Sequence, residues 1–166
     1  YKKNNLTYDK YTGSLSEYNG ILAKGGAANI EIYCTIFKQE AEVEGVRVEV
    51  AFTQAMLETG FLKFGGDVKP DQYNFAGMGA TGGISGEKFS DVREGIRAQI
   101  QHLKCYASDA ALNNACVDPR WGTWLRNKAL YVQWLSKANN PYGIGWATDA
   151  EYSEKILSMI KSLKAN

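Results

Sequence analysis

One carboxylate stands out for its setting. In the stretch "AFTQAMLETGFLKFGG", from Ala51 to Gly66, Glu58 sits in an apolar run with aromatics on both sides. At 100° per residue, Ala51, Ala55, Glu58 and Leu62 share about one sixth of a helical wheel. The run reaches Gly60, where helices often stop, so the carboxyl is placed beside a helix C-terminus. Poor hydration on an apolar face raises a carboxyl pKa, and the negative end of the helix dipole raises it further. Phe52, Phe61 and Phe64 can add to the apolar surround. A carboxyl that stays protonated near neutral pH is what a general acid requires. Spacing alone also fits a surface Glu at a frayed helix end.

Few other residues offer chemistry. His102 is the one histidine, which leaves no material for a His-based triad or a multi-His metal site. A solvent-facing or capping place is expected for it. Cys34, Cys105 and Cys116 do not have zinc spacing. A Cys105–Cys116 disulfide fits the spacing, but buried or free thiols are the favoured reading. The segment "NFAGMGATGG" (Asn74–Gly83) has no G-x-G-x-x-G and no G-K-[ST], which argues against nucleotide binding. It reads instead as a backbone wall, where absent side chains let an extended ligand approach main-chain groups, or as a plain turn cluster. By pattern, Tyr152 and Trp146 both read as core aromatics. Tyr152 in the first turn of a helix would also suit a hydroxyl pointed into a cleft, and Trp146 would suit a stacking surface. Neither a metal nor an organic cofactor is implied.

The whole chain narrows the function classes. It has 166 residues and a formal net charge of +1, which suits one domain with a real core and gives no electrostatic reason to bind nucleic acid or an anionic membrane. No stretch reaches the 18 apolar residues of a membrane span. Aromatics make up 12% of the chain; sugar-binding clefts and ordinary cores both use such rings. A chain that starts at Tyr1 reads as a piece of a longer protein, so missing targeting signals carry no information about location.

The elements that must position these residues follow from periodicity. Residues 1–25 are polar and read as a lead-in or linker, with a short helix at 14–23. Residues 26–166 read as a single domain. Ala27, Ile30, Cys34, Phe37 and Ala41 form one helical stripe, and Val46, Val50, Thr53 and Leu57 a second. Residues 65–90 hold seven glycines, which predicts turns and a short hairpin around Gly82–Gly86. Ser90-Asp91 with Glu94 is a capping signal for a helix carrying Val92, Ile96, Ile100, Leu103 and Ala107. Trp121, Trp124, Leu125, Lys128, Val132 and Leu135 predict a further helix. Thr148-Asp149-Ala150-Glu151 is a capping-box sequence opening a last helix along Tyr152, Ile156, Met159, Ile160 and Leu163. The fold class is mainly α (α+β).

Five stretches in order carry a resemblance: "AFTQAMLETGFLKFGG", "QYNFAGMGATGG", "FSDVREGIRAQIQHLKCYAS", "VDPRW" and "GWATDAEYSEKI". Over roughly Glu40 to Lys161 they resemble the catalytic domain of bacterial cell-wall autolysins of glycoside hydrolase family 73, the endo-β-N-acetylglucosaminidases, and most closely its clostridial branch. The resemblance implies a lysozyme-like fold with a helical lobe, a small β-lobe and a cleft between them. It implies a secreted enzyme of the cell wall, cutting the β-1,4 bond of peptidoglycan after N-acetylglucosamine and before N-acetylmuramic acid. The family's catalytic Glu falls on Glu58, its cleft-wall Asn-Phe pair on Asn74 and Phe75, and its tyrosine near the catalytic acid on Tyr152. Trp146 stands where many members have Tyr.

One departure bears on mechanism. Many members carry a second carboxylate on a longer β-hairpin. Here the hairpin is short and Glu87 is a weak match, with Asp91 better explained as a helix cap. Two mechanisms stay open: inversion with a second carboxylate directing water, the two groups well separated, and attack by the substrate's own acetamido oxygen, with Tyr152 holding or polarising it. The absence of a clear base favours the second. An N-acetylmuramidase on the same scaffold and a non-catalytic wall-binding module remain alternatives. The partner expected is the peptidoglycan glycan strand. The domain is expected to be a monomer, and further wall-binding modules are expected in the parent protein because this domain has little charge of its own.

Overall fold

Asparagine 29 starts the first long helix by capping it. Its side chain accepts the Ile32 N–H at 2.9 Å, and α1 runs Ile30–Glu44 to a left-handed Gly45. The computed structural model describes residues 20–165. A helical turn at 20–24 precedes α1; the rest of the helix expected at 14–23, and most of the lead-in, lie outside the described residues. Helix α2 follows at Val48–Glu58, α3 at Val92–Ala107 and α4 at Tyr152–Lys164. Between α2 and α3 a two-stranded antiparallel hairpin pairs β1 (Ala80–Thr81) with β2 (Ile84–Ser85), Thr81 opposite Ile84. Its turn is Gly82-Gly83, both with positive φ, as the tightest right-twisting hairpins require. The result is a mainly helical α+β body with one small hairpin, the arrangement of a lysozyme-like fold.

Helix α3 is the centre of the packing. Asp91 caps it by accepting the Glu94 N–H at 2.7 Å, while Glu94 accepts the Ser90 N–H at 2.6 Å. From residue 98 to 106 every residue is buried, polar ones included. Helix α1 packs along α3, and α2 packs on both α1 and α4. Tyr33, Phe37, Met56, Leu62, Phe75, Ile96, Ile100 and Ile156 fill the core between them. Two acids on α1 tie it to the centre: Glu40 takes Arg93 and Arg97, and Glu44 takes Lys104 together with the Asn113 and Asn114 N–H groups.

Two expectations are corrected here. No continuous helix covers 121–135; short 3-10 turns form at Thr123–Leu125 and Val132–Leu135. The helical spacing of apolar residues is real, but Asn127 adopts a left-handed φ of 59°, and the Ala129 N–H is drawn to the Tyr106 carbonyl at the end of α3. The Asn140 side chain then donates to Lys128 O and Trp134 O, holding the irregular path. Helix α4 begins on an Asp149 turn rather than a full capping box: Asp149 Oδ1 accepts the Glu151 N–H at 2.9 Å. The three thiols are free; Cys105 Sγ donates to Gly122 O at 3.3 Å instead of pairing with Cys116.

The chain beyond α2 is unusual. Gly60, Phe61, Leu62 and Phe64 all have positive φ. For residues with a Cβ this costs about 1–2 kcal/mol each and persists only where the surroundings enforce it. Here Leu62 and Phe64 bury their side chains, and the Thr59 hydroxyl accepts the Leu62 N–H at 2.9 Å. This left-handed turn stops α2 at Glu58 and turns the chain sharply away, leaving the last side chain of the helix uncovered.

Candidate active site

Glu58 ends α2 and Tyr152 begins α4, and the packing of α2 on α4 brings them together. The Tyr152 hydroxyl donates to Glu58 Oε1 at 2.6 Å. One turn earlier on α2, Gln54 Nε2 donates to the same hydroxyl oxygen at 2.9 Å. Behind it, Gln99 Nε2 on α3 donates to Gln54 Oε1 at 2.9 Å and to the Ala51 carbonyl at 2.8 Å. Gln54 and Gln99 are fully buried and Tyr152 nearly so. Among the described residues Gln99 Oε1 is buried with no hydrogen-bond partner. A buried oxygen left unpaired costs about 1–3 kcal/mol.

Glu58 itself is exposed as a residue, because it faces an open cavity of about 170 Å³ rather than the Ala51–Ala55 core face. Protein nevertheless crowds its carboxyl. That partial loss of hydration lifts its pKa above the ordinary carboxylate value, and the Tyr152 hydrogen bond pulls it back only in part. Burial, and then the neighbouring Glu58 charge, push the Tyr152 phenol well above its usual range, so it stays a proton donor.

Glycine makes room at the carboxyl. A Cβ on Gly77 would lie 3.3 Å from Glu58 Oε2, and Gly77 has a φ of 64°. Gly77 and Ala80 border both this cavity and a second hollow of about 380 Å³ that carries Arg120, Trp124 and Trp146. Trp124 is 64% exposed there. A larger share of apolar wall lines a separate hollow of about 370 Å³ near Val46, Leu103 and Leu135, away from Glu58.

The other expected residues fall as follows. Asn74 is buried; its Nδ2 donates to Met78 O and Glu87 O, and its Oδ1 accepts the Met78 N–H at 3.0 Å, so it braces the glycine wall under Glu58. Phe75 does not face the cleft. It is 0% exposed and packs edge-on against Tyr33 in the core. Trp146 is half-buried, donates Nε1 to Ala76 O at 3.2 Å, and lines the second hollow. Glu87 is not on the Glu58 cavity; its carboxylate lies beside Gly79, near Arg120. His102 is neither solvent-facing nor a cap: it is buried on α3, its Nδ1 2.7 Å from Asp118 Oδ2, with Trp146 against its ring.

Three residues not singled out by sequence reasoning belong to the site. Gln54 carries a weak sequence signal, a fully polar side chain one helical turn before Glu58 in an apolar run. Asp67 lines the Glu58 cavity and accepts the Gly83 N–H at 3.1 Å, joining the loop after α2 to the hairpin turn. Trp124 carries no distinguishing signal, since its spacing matches the apolar stripe of a helix that does not form. Among the described residues no cluster of three His, Cys, Asp or Glu side chains is disposed to hold a metal ion. No helix among them is long and apolar enough to cross a membrane.

Comparison with known proteins bears on this geometry. Residues 34–165 match the family model Glucosaminidase, described as mannosyl-glycoprotein endo-beta-N-acetylglucosaminidase. The chain is also similar to an uncharacterized protein of Borreliella burgdorferi, with 39% identity over 125 residues. That match takes in 75% of this chain and 58% of the relative, so the chain spans little more than half of that protein. No solved structure matches significantly.

Proposed function

The chain belongs to the glucosaminidase family of glycoside hydrolases, and on that premise we propose that it hydrolyses peptidoglycan at the β-1,4 bond between N-acetylglucosamine and N-acetylmuramic acid. The observation that carries the reading is the Glu58 carboxyl: held by Tyr152 at one oxygen, raised in pKa, and open to a cavity at the other. A group so held donates a proton to the glycosidic oxygen as the bond breaks. The joined hollows give an extended glycan strand a path, and the rings of Trp124 and Trp146 offer faces for its sugars.

The second half of the reaction favours the substrate's own acetamide. Asp67 is an exposed carboxylate that accepts the Gly83 N–H at one oxygen and anchors the hairpin turn, and Glu87 lies off the cavity. In the proposed sequence the acetamido oxygen bonds to the anomeric carbon while the glycosidic bond breaks, and the leaving oxygen takes the Glu58 proton. Water then opens the cyclic intermediate, and the Glu58 carboxylate takes up the water's proton. Tyr152 acts through Glu58 and not on the acetamide, because its hydroxyl is already shared between Glu58 and Gln54. Inversion with Asp67 directing water is the second reading, favoured only by the place of Asp67 on the same cavity wall.

The site of action is the bacterial wall, outside the cell. With a net charge of +1 the domain has little pull toward anionic wall polymers, so firm attachment falls to other modules of the parent protein. The deciding experiment is a digest of purified peptidoglycan read by mass spectrometry. New reducing-end N-acetylglucosamine is expected. Reducing-end N-acetylmuramic acid would make the protein a muramidase, and no new ends would leave a wall-binding module.

A further inference from the structure

We infer that Gln54 and Gln99 are positioning residues that fix which oxygen of Glu58 carries its proton, and that this oxygen is Oε2. The inference rests on the reading of Glu58 as the acid. Its starting point is the Ala51 carbonyl, which can only accept a hydrogen bond. Gln99 therefore turns its NH2 toward Ala51, and does so although its own Oε1 is then left buried without a partner among the described residues. The same NH2 meets Gln54, which must answer with its oxygen. The Gln54 NH2 is thereby aimed at Tyr152, whose oxygen accepts. The phenolic proton then has one place to go, Glu58 Oε1. Every amide in the series is oriented by an acceptor-only group at its origin, so the direction does not depend on how either amide is drawn.

The consequence concerns the acid form of Glu58. A phenol oxygen that already accepts one hydrogen bond is a poor acceptor for a second. In a neutral carboxyl the carbonyl oxygen is the better acceptor, so a Tyr152 that can only donate makes Oε1 the carbonyl oxygen. The proton therefore resides on Oε2. That oxygen accepts no hydrogen bond among the described residues and lies next to Gly77, where the two hollows meet. Without the glutamines, Tyr152 could accept as well as donate, and the acid proton could turn inward, out of reach of a glycosidic oxygen. The other ionisable groups that face this arrangement are Asp67, across the cavity from Glu58, and Tyr106 of α3, whose phenol is close enough to influence Tyr152.

The test uses Gln54→Met, near in shape and without donor or acceptor, and follows the Glu58 carboxyl carbon by 13C NMR across pH, assigned with Glu58→Gln. Loss of the Gln54 bond makes Tyr152 a weaker donor to the carboxylate and a better acceptor for the protonated carboxyl. Both effects have the same sign, so the Glu58 titration is expected to rise by about half a pH unit. The kcat on wall glycan is expected to fall about three- to tenfold with KM nearly unchanged. In a Tyr152→Phe background, Gln54→Met is expected to change neither quantity further. Gln99→Met, which touches neither Glu58 nor Tyr152, is expected to shift the titration the same way by less, and serves if Gln54→Met does not fold. A folded variant with an unmoved Glu58 titration, or an equal shift in the Tyr152→Phe background, overturns the inference. The NMR readout needs no turnover: the expected shifts in a protein that releases no sugar would overturn the proposed function and leave the relay standing.

Discussion

Tyr152 and Glu58 lie 94 residues apart in the chain and 2.6 Å apart in the structure. The contact joins the last residue of one helix to the first residue of another, so it forms only when α2 and α4 have docked. It also divides the two oxygens of one carboxyl between protein and cavity. A site of this kind is complete only in the folded molecule, and its acid is held by a phenol that stays protonated.

Glu58→Gln is expected to keep the fold and lower glycan release by roughly 10²–10⁴-fold, the usual contribution of a positioned general acid. Tyr152→Phe is expected to cost less, within about tenfold, because Glu58 remains. The pH dependence of stability follows from the raised pKa of Glu58. Above the unfolded value of 4.5 the unfolded chain releases this proton more readily than the folded protein does, so ionised Glu58 destabilises the fold. Glu58→Gln removes that penalty. Its melting temperature should exceed the wild type's at neutral pH, and the gain should vanish as the pH falls below 4.5. A gain that is the same at pH 4 and pH 7 would contradict the raised pKa.

The anomeric form of the product separates the two chemical routes. Attack by the acetamido oxygen followed by water involves two displacements at one carbon, so the β-configuration is retained. Proton NMR within the first minutes of reaction, before mutarotation, is expected to show the β-anomer at the new reducing end. An initial α-anomer would require a water-directing base and would move Asp67 from hairpin anchor to reactant.

The sequence carries the helices and hides the turns, for a physical reason. Long amphipathic helices repeat one signal many times, so α1, α3 and α4 are legible from Ile30, Phe37, Ile96, Ile100 and Ile156, and the hairpin from Gly82-Gly83. The setting of Glu58 was half legible: the helix end was clear, but the left-handed turn at Phe61 and Leu62 that leaves the side chain uncovered is imposed by burial, against local preference. The segment 121–135 misleads because its apolar spacing is set by packing against the end of α3, not by helical hydrogen bonding. His102 reads as solvent-facing or as a cap because most polar side chains are exposed. It is inside because α3 is covered on all sides from residue 98 to residue 106.

Gly95 offers a case where helix propensity predicts the wrong sign. In an exposed helix interior Gly→Ala stabilises by about 1 kcal/mol. A Cβ on Gly95 would lie 1.8 Å from the Tyr73 carbonyl oxygen, a backbone atom that cannot swing away. Tyr73 adjoins Asn74, which braces the wall beneath Glu58. Gly95→Ala is therefore expected to destabilise by about 1–3 kcal/mol, the usual range for overpacking, and to lower activity beyond the loss of folded protein. Thermal unfolding and a kcat corrected for folded fraction would measure both. Unchanged or raised stability would mean that α3 can move off Tyr73 freely.

The ion pairs on α1 make acid stability a second readout. Burial by itself would raise the Glu40 carboxyl, but hydrogen bonds from Arg97 and Arg93 outweigh it and hold the pKa below 4.5. Glu44 is likewise low, its burial outweighed by Asn113, Lys104 and Asn114. A carboxyl with a depressed folded pKa stabilises the protein above its unfolded value, and that stability is lost as pH falls through the folded pKa. Wild-type stability is therefore expected to drop as pH falls below 4.5. Glu40→Gln leaves two guanidinium groups without their carboxylate. Both are partly open to water, with side-chain exposures of 42% and 28%, so the cost is that of the lost charge-assisted hydrogen bonds, about 1.5–3 kcal/mol, rather than that of a stranded buried charge. For a chain of this size that is a melting point lower by about 3–12 °C at neutral pH. The same variant should lose less stability than wild type between pH 5 and pH 3, because the group that titrates there is gone. Parallel pH–stability curves for the two proteins would place the acid sensitivity elsewhere, with Glu44 the first residue to replace.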